Sequence, residues 1–576
     1  MKDYYAEEIA RLRDLGQQYA EAHPSVAPML ASRSTDPDVE RILEGTAFLC
    51  GLIHERLDQN FPEIVQGLLE FTAPQALLPT PSATIVQFIP DASVSGVQTA
   101  HTGTELQSIA VNGSHCNYTL FQDLDIYPIV SSTTTLERDS VNGSGRLHLR
   151  LVSSVPLDIW LPDSLTFYIH DNYPSACDWL YQLIGQCDGV HAEVNGQRRS
   201  LPAPRPALQP YQLPSELAGT SWAFGENHSL LNCPHLARFF TLPEQFLFLR
   251  LNGLEACRSD RSEIEFVFDL PVLPETLANP PDTLLRPNTC PAHNVFRHTA
   301  DPFVLSHARQ EYRLNPQNDA HRHMEIYAIA GMKGIRRGGG IREFRPYNIH
   351  TANAQGENTY TLRRARSQAT GRREFFVSLP YKSLDDIREN ETLSTELLCY
   401  HHTLPAMLHA GDICVPTDSS PAMATFTNLI PPSTPIPAVS DNSMLWKLFS
   451  CLHANMLPLA SVDALREFLQ LYIPQTNLDP ARQQQCRTII EGIRGFSSTP
   501  EERLMQGRPI RGQLLRLTLS RSSFVSTGEM VLLAHILDKV LAGFSTVNNY
   551  TRLVMTDSES GERIEWPARL GIRQLL

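Results

Sequence analysis

The chain lacks any run approaching roughly 18 uninterrupted apolar residues, so its sequence offers no helix that would span a bilayer. It lacks a C-x-x-C pair. Its eleven cysteines are scattered and odd in number, which predicts buried thiols in a reducing cytosol rather than a disulfide framework or a zinc site. No G-x-S-x-G elbow occurs, and Arg336-Arg337-Gly338-Gly339-Gly340 is glycine-rich without the order of a phosphate-binding loop. The first residues are acidic and amphipathic, with no basic region followed by an apolar core, which predicts no signal peptide. There is no internal repeat and no long low-complexity tract. Positive charge is also short: the formal net charge is −14, which argues against non-specific binding to nucleic acid or to an anionic membrane.

What is present is a globular composition, 42% hydrophobic and 19% charged over 576 residues, enough for several domains. The charge is uneven. Residues 1–75 carry six Lys/Arg against thirteen Asp/Glu, and residues 321–373 carry eleven against three. Such segments either form solvated faces or meet opposite charge within the fold or on neighbouring subunits. Asn112, Asn117, Asn142 and Asn227 head Asn-x-Ser/Thr sequons, read here as turn chemistry in a chain expected to stay unsecreted.

The opening residues read as short amphipathic helices. Tyr5, Ile9, Leu12, Leu15 and Tyr19 recur at near-helical spacing, and a second helix starting at Asp36-Pro37 carries Val39, Ile42, Leu43, Leu49, Ile53 and Leu57. Short helices of this kind bury little area alone and need the rest of the chain or a partner. From Ala83 the period becomes alternating: Ile85, Val86 and Phe88, then Leu147, Leu149 and Leu151, then Ile264, Phe266 and Phe268. Asn-Gly pairs at Asn112, Asn142, Asn195 and Asn252 predict tight turns, and a helix interrupts near Asp178 to Ile184. Prolines from Pro271 to Pro291 read as a boundary and those from Pro431 to Pro437 as a stiff linker, both candidate hinges. Strands are expected at Tyr312–Leu314, Glu325–Tyr327 and Phe375–Val377. Helical periodicity returns after 440, with a strand at Leu515–Leu519 and a long helix from Met530 to Phe544.

The expected class is α+β multidomain. Residues 1–82 form an N-terminal helical segment, 83–275 and 276–430 two β-rich, wing-like domains, and 431–576 a mixed α/β C-terminal domain. Few constellations invite chemistry. His321, His323 and Glu325 would share one face of an extended strand, and Cys399-Tyr400-His401-His402 offers further metal-ligand types, without a third cluster at ligand spacing. A metal-dependent enzyme, or a β-rich module binding carbohydrate or peptide, is therefore the alternative to a purely structural chain.

Particular motifs resemble one family. Tyr4-Tyr5 before the acidic helix, Ala22-His23-Pro24, Asp36-Pro37, Leu43-Glu44-Gly45, Phe61-Pro62-Glu63 and Pro79-Thr80-Pro81-Ser82 open the likeness. Leu165 to His170, Phe239-Phe240 with Leu242-Pro243-Glu244, Thr392 to Cys399 with Leu404-Pro405, and Trp566 to Gly571 continue it to the C-terminus. The chain resembles TssF (VasA, ImpG), a baseplate subunit of the bacterial type VI secretion system. It departs from the pattern after Cys399, where Tyr400-His401-His402 replaces the usual Thr-Asn. The resemblance implies a structural protein with no catalytic residues, cofactor or metal. It implies that two TssF copies wrap one TssG, with TssE attached, to form a wedge. TssK binds the wedge and links it to the membrane complex. Wedges surround the VgrG hub and carry the sheath and Hcp tube. The implied location is cytoplasmic, at the inner face of the inner membrane, without insertion. N-terminal helices are expected to join TssG helices in a core bundle. Tyr5, Leu12, Leu15, Tyr19, Val39, Leu49 and Ile53 are the expected contributors, unless they pack only on the chain's own β domain.

Overall fold

A computed structural model describes residues 2–22, 38, 41–51, 66–69, 77–139, 142–194, 196–202, 207–210, 234–305, 309–317, 323–336, 340–347, 358–367, 372–380, 391–439, 444–447, 461–474, 479–505, 507–546 and 548–571. The chain divides into two compact units. One comprises Met1–Leu77 and Val439–His453, the other Leu78–Ala438 and Ala454–Leu576. The α+β class expected from the sequence is the one observed.

In the first unit, the helix Lys2–Ala22 is followed by helical residues at 41–51 and 66–69. Ala47, Leu69 and Leu445 are fully buried.

The second unit is built on strands whose alternation places one side chain in two inside. The strand Gly145–Ser153 buries Leu147, Leu149 and Leu151, and it pairs along its length with Glu263–Leu270, which buries Ile264, Phe266 and Phe268. These lie in a five-stranded sheet with Ile129–Arg138, Gly189–Val194 and Gln197–Ser200. The turn at Asn112-Gly113 has φ of 50° and 78°, and Val111 and Ser114 exchange both backbone hydrogen bonds across it. Asn and Gly tolerate that left-handed pair of conformations, which is why the dipeptide closes a two-residue hairpin.

A six-stranded sheet does not follow the expected boundaries. Its order is Ile413–Val415, Glu105–Ser108, Asn117–Leu120, Thr289–His293, Ala83–Pro90, Ala424–Asn428. Ala83 pairs with His293, and Val86 with both Cys290 and Asn428. The divisions drawn at 275/276 and 430/431 therefore cut through shared structure. Pro291, read as part of a domain boundary, sits in a wholly buried strand. The stretch 429–436 is also held: Thr80 and Ile436 exchange backbone hydrogen bonds of 2.9 and 2.8 Å, and Ser433 N–H donates to the Ala83 carbonyl at 2.9 Å. Pro291 and the stretch 429–436 are thus tied to the strand Ala83–Pro90 or its approach.

Nested between the strands of that sheet is an eight-stranded one formed by residues 296–401. Its long central pair is Met324–Arg336 and Glu391–His401, over a core of Ile329, Met332, Phe375, Val377, Leu393 and Leu397. Part of the positive charge of residues 321–373 is answered here. Arg363 Nε lies 2.9 and 3.0 Å from the two carboxylate oxygens of Glu311, holding that carboxyl below its usual range, and Arg342 lies 3.6 Å from the buried Glu391. The C-terminal sheet contains a parallel pair, Arg508–Leu519 with Asn549–Asp557, whose crossover is the helix Thr527–Gly543. Ser526 caps that helix by accepting from Glu529 N–H, and the Glu529 carboxylate reaches back to accept from Val525 N–H, one residue before the cap, at 3.0 Å.

Candidate partner interface

The helix Lys2–Ala22 turns a half-buried side inward: Tyr5, Ile9, Leu12 and Gly16 are intermediate in exposure, and Glu8 is buried. Arg11 lies 3.8 Å from Glu8. Leu15 and Tyr19, expected on the same stripe, stand instead in solvent, 51% and 53% exposed. Position 15 falls just outside the face formed by 5, 8, 9, 12 and 16, whereas Tyr19 shares that face but stands in the last turn, beyond the buried residues.

The next helix behaves similarly. Leu43, Ala47, Cys50 and Gly51 are buried or half-buried, while Ile42, Phe48 and Leu49 are 69%, 48% and 61% exposed. Of the seven expected interface residues, Tyr5 and Leu12 are half-buried, and Leu15, Tyr19 and Leu49 are exposed. Val39 and Ile53 lie outside the described residues. These helices therefore keep apolar side chains in water after the chain has folded. Burying a leucine side chain fully contributes about 1.5–3 kcal/mol, so half-exposed Leu15 and Leu49 each hold about 1 kcal/mol in reserve.

The groups with metal-ligand chemistry are engaged otherwise. His321 lies outside the described residues. Glu325 accepts a 2.6 Å hydrogen bond from Tyr400 Oη, and the His323 carbonyl lies 3.1 Å from His402 Nδ1. His401 is buried, its ring held neutral with a pKa pushed down to about 4, chiefly by desolvation, and burial lifts the Cys399 thiol to about 12. Among the described residues, no group of three or more His, Cys, Asp or Glu is placed to hold a metal ion. No described helix is long and apolar enough to cross a membrane.

Two buried polar centres escaped sequence reasoning. Asn294, wholly buried, donates through Nδ2 to the Asn117 carbonyl at 2.6 Å and to His401 Nδ1 at 3.0 Å, while its Oδ1 accepts from His401 N–H at 2.6 Å. It clips the six-stranded sheet to the eight-stranded one. Arg238, on the helix Pro234–Thr241, is buried with its guanidinium 4.3 Å from the centre of the Phe121 ring, and Phe121 meets His293 edge-on. Desolvation, aided by the Arg238 charge, pushes the His293 pKa down to about 3. Phe239-Phe240, next to Arg238, falls in a motif that resembled the family, but a single buried Asn or Arg has no periodicity to announce it.

Comparison with known proteins agrees with the fold and the motifs. The family model for type VI secretion system TssF matches residues 1–573. Type VI secretion system component TssF1 of Pseudomonas aeruginosa PAO1 is 27% identical, over 99% of this chain and 98% of its own length. A chain in the cryo-electron-microscopy structure of the type VI secretion system TssK-TssF-TssG baseplate subcomplex superposes with a TM-score of 0.76 at 22% identity, covering 93% of this chain and 99% of that one. A chain of the type VI secretion system baseplate complex gives 0.65 at 19% identity, with both chains covered in full. With a family model that matches all but the last three residues, this chain belongs to the TssF family of the type VI secretion system.

Proposed function

We propose that this protein is a structural subunit of a type VI secretion baseplate that assembles with TssG and TssK. The observation that carries the reading is the end-to-end family match, joined to apolar side chains left exposed on its N-terminal helices. The solved relative of like fold comes from an assembly of TssK, TssF and TssG. In this reading the chain holds neighbours in register and has no substrate of its own.

The finer arrangement follows the family. Two copies of this chain embrace one TssG, TssE joins them to complete a wedge, and wedges close around the VgrG hub to seat the sheath and tube. The assembly sits at the cytoplasmic face of the inner membrane through TssK, with no part of this chain inserted. Leu15 and Leu49 are the anchors, and Tyr5, Leu12 and Tyr19 flank them. Val39 and Ile53, which lie outside the described residues, join this set on their sequence spacing alone.

The test is co-expression with TssG. Leu15→Asp and Leu49→Asp place charges where the free chain already meets water, so folding is preserved and complex formation is lost. Wild-type capture of TssG by both variants would contradict the assigned surface.

A further inference from the structure

The second unit holds a cavity of about 160 Å³ between the helix Tyr173–Tyr181 and the helix Thr527–Gly543. Its walls are mainly apolar: Leu180, Ile184, Phe246, Val531, Ile536 and Ile564. The volume is close to the roughly 150 Å³ of an engineered apolar cavity that takes up benzene, so it admits a single ring or a short branched chain.

The helix does not continue regularly beside it. Gln182–Gln186 is a π-helical turn that brings Ile184 and Gly185 to the wall. Such turns recur at binding sites. Gly528 also lines the cavity, and a Cβ on it would fall 2.1 Å from the Cys177 backbone, so the two helices approach as closely as backbone permits.

The polar groups of the wall are unequal. Trp566 Nε1 donates to His535 Nδ1 at 3.1 Å, which fixes that ring, and burial keeps His535 and His235 neutral, with pKa values pushed down to about 3 and about 4. Glu565 is answered by Arg552 at 3.0 Å; Asp538, behind the wall, is paired with Arg569. Lys539 is left as a cation in the wall with no hydrogen bond or ion pair among the described residues. Burial and the neighbouring Arg569 push the Lys539 pKa down to about 8 against the pull of Asp538, so it is still mainly an ammonium at pH 7, and an anion carried on an apolar body would pair with it beside the apolar chamber.

We propose that this cavity is a binding site for a small apolar carboxylate, with a ring or short hydrocarbon chain seated among Leu180, Ile184, Phe246 and Val531 and the carboxylate against Lys539. The enclosure by two helices, a π turn and the strand Arg563–Glu565 suits a ligand engulfed on several sides rather than a flat protein surface.

The probes are 3-phenylpropanoate and its neutral counterpart 3-phenylpropanol, titrated calorimetrically into the full chain. Wild type is expected to bind the acid at least about tenfold more tightly than the alcohol. Lys539→Met removes that preference and leaves the alcohol unchanged. Ile184→Trp fills the chamber and abolishes both, with thermal unfolding showing that each variant is folded. No binding of the acid by the wild-type chain, or equal binding of acid and alcohol, overturns the proposal. So does loss of TssG capture in Ile184→Trp with no effect on either probe, which would assign the cavity to a partner's side chain.

Discussion

Removing the Asn294 side chain tests how the two largest sheets are joined. Asn294→Ala strands three groups: the Asn117 carbonyl, the His401 N–H and His401 Nδ1. The two on His401 are wholly buried, and the Asn117 carbonyl belongs to a half-buried residue. At about 1 kcal/mol for each unpaired group, the low end of the usual range, the loss is about 3 kcal/mol, or about a hundredfold in the opening equilibrium. Asn294→Asp separates the contributions. It keeps an oxygen for His401 N–H and loses both Nδ2 donors, while adding a buried charge, so it is expected to be no more stable than the alanine variant. Urea unfolding gives the global loss, and hydrogen exchange along Glu391–His401 shows whether the strand opens first. A loss below about 1 kcal/mol for Asn294→Ala, with unchanged exchange in that strand, would refute the reasoning.

Other expectations follow from single contacts. Gly528→Ala drives a Cβ into the Cys177 backbone and should cost at least about 2 kcal/mol in thermal unfolding, whereas Gly96→Ala, with open space around it, should cost far less. His293 has its folded pKa pushed down to about 3 against about 6.5 when unfolded. Its share of stability is therefore present above about pH 6.5 and is lost as pH falls toward 3. The deficit of His293→Gln relative to wild type should shrink by about 2 kcal/mol between pH 7 and pH 5, measured by urea midpoints, and a pH-independent deficit would contradict it. Glu529 and Glu244 act with the opposite sign: burial raises both carboxyls, so their contribution is present at low pH and is lost as pH rises through the folded values. Glu529→Gln should narrow its deficit relative to wild type as pH rises from 4 toward 7.

Periodicity made much of this fold legible. Leu147, Leu149 and Leu151 alternate because one face of their strand is buried, and the structure buries all three. The run through Met530, Leu533, Ile536, Leu537 and Val540 is helical for the same physical reason, and all five are buried. Tyr312–Leu314 is a strand as expected. Pairing over long separations was not legible. Val86 meets Asn428 across 342 positions, and no local signal reports it. Proline misled for a related reason: Pro291 in a buried strand looks in sequence like Pro in a linker, because its missing N–H matters only where a ladder bond is needed. On the helix Lys2–Ala22, spacing announced an apolar stripe but not where burial on it ends, between Leu12 and Leu15.

The most direct measurement is a side-chain-resolution image of this chain reconstituted with TssG and TssK. The account predicts that TssG copurifies with it and that Leu15 and Leu49, 51% and 61% exposed in the free chain, become buried against TssG helices. A complex in which both leucines remain in solvent, or a stable free chain that ignores TssG, would contradict it.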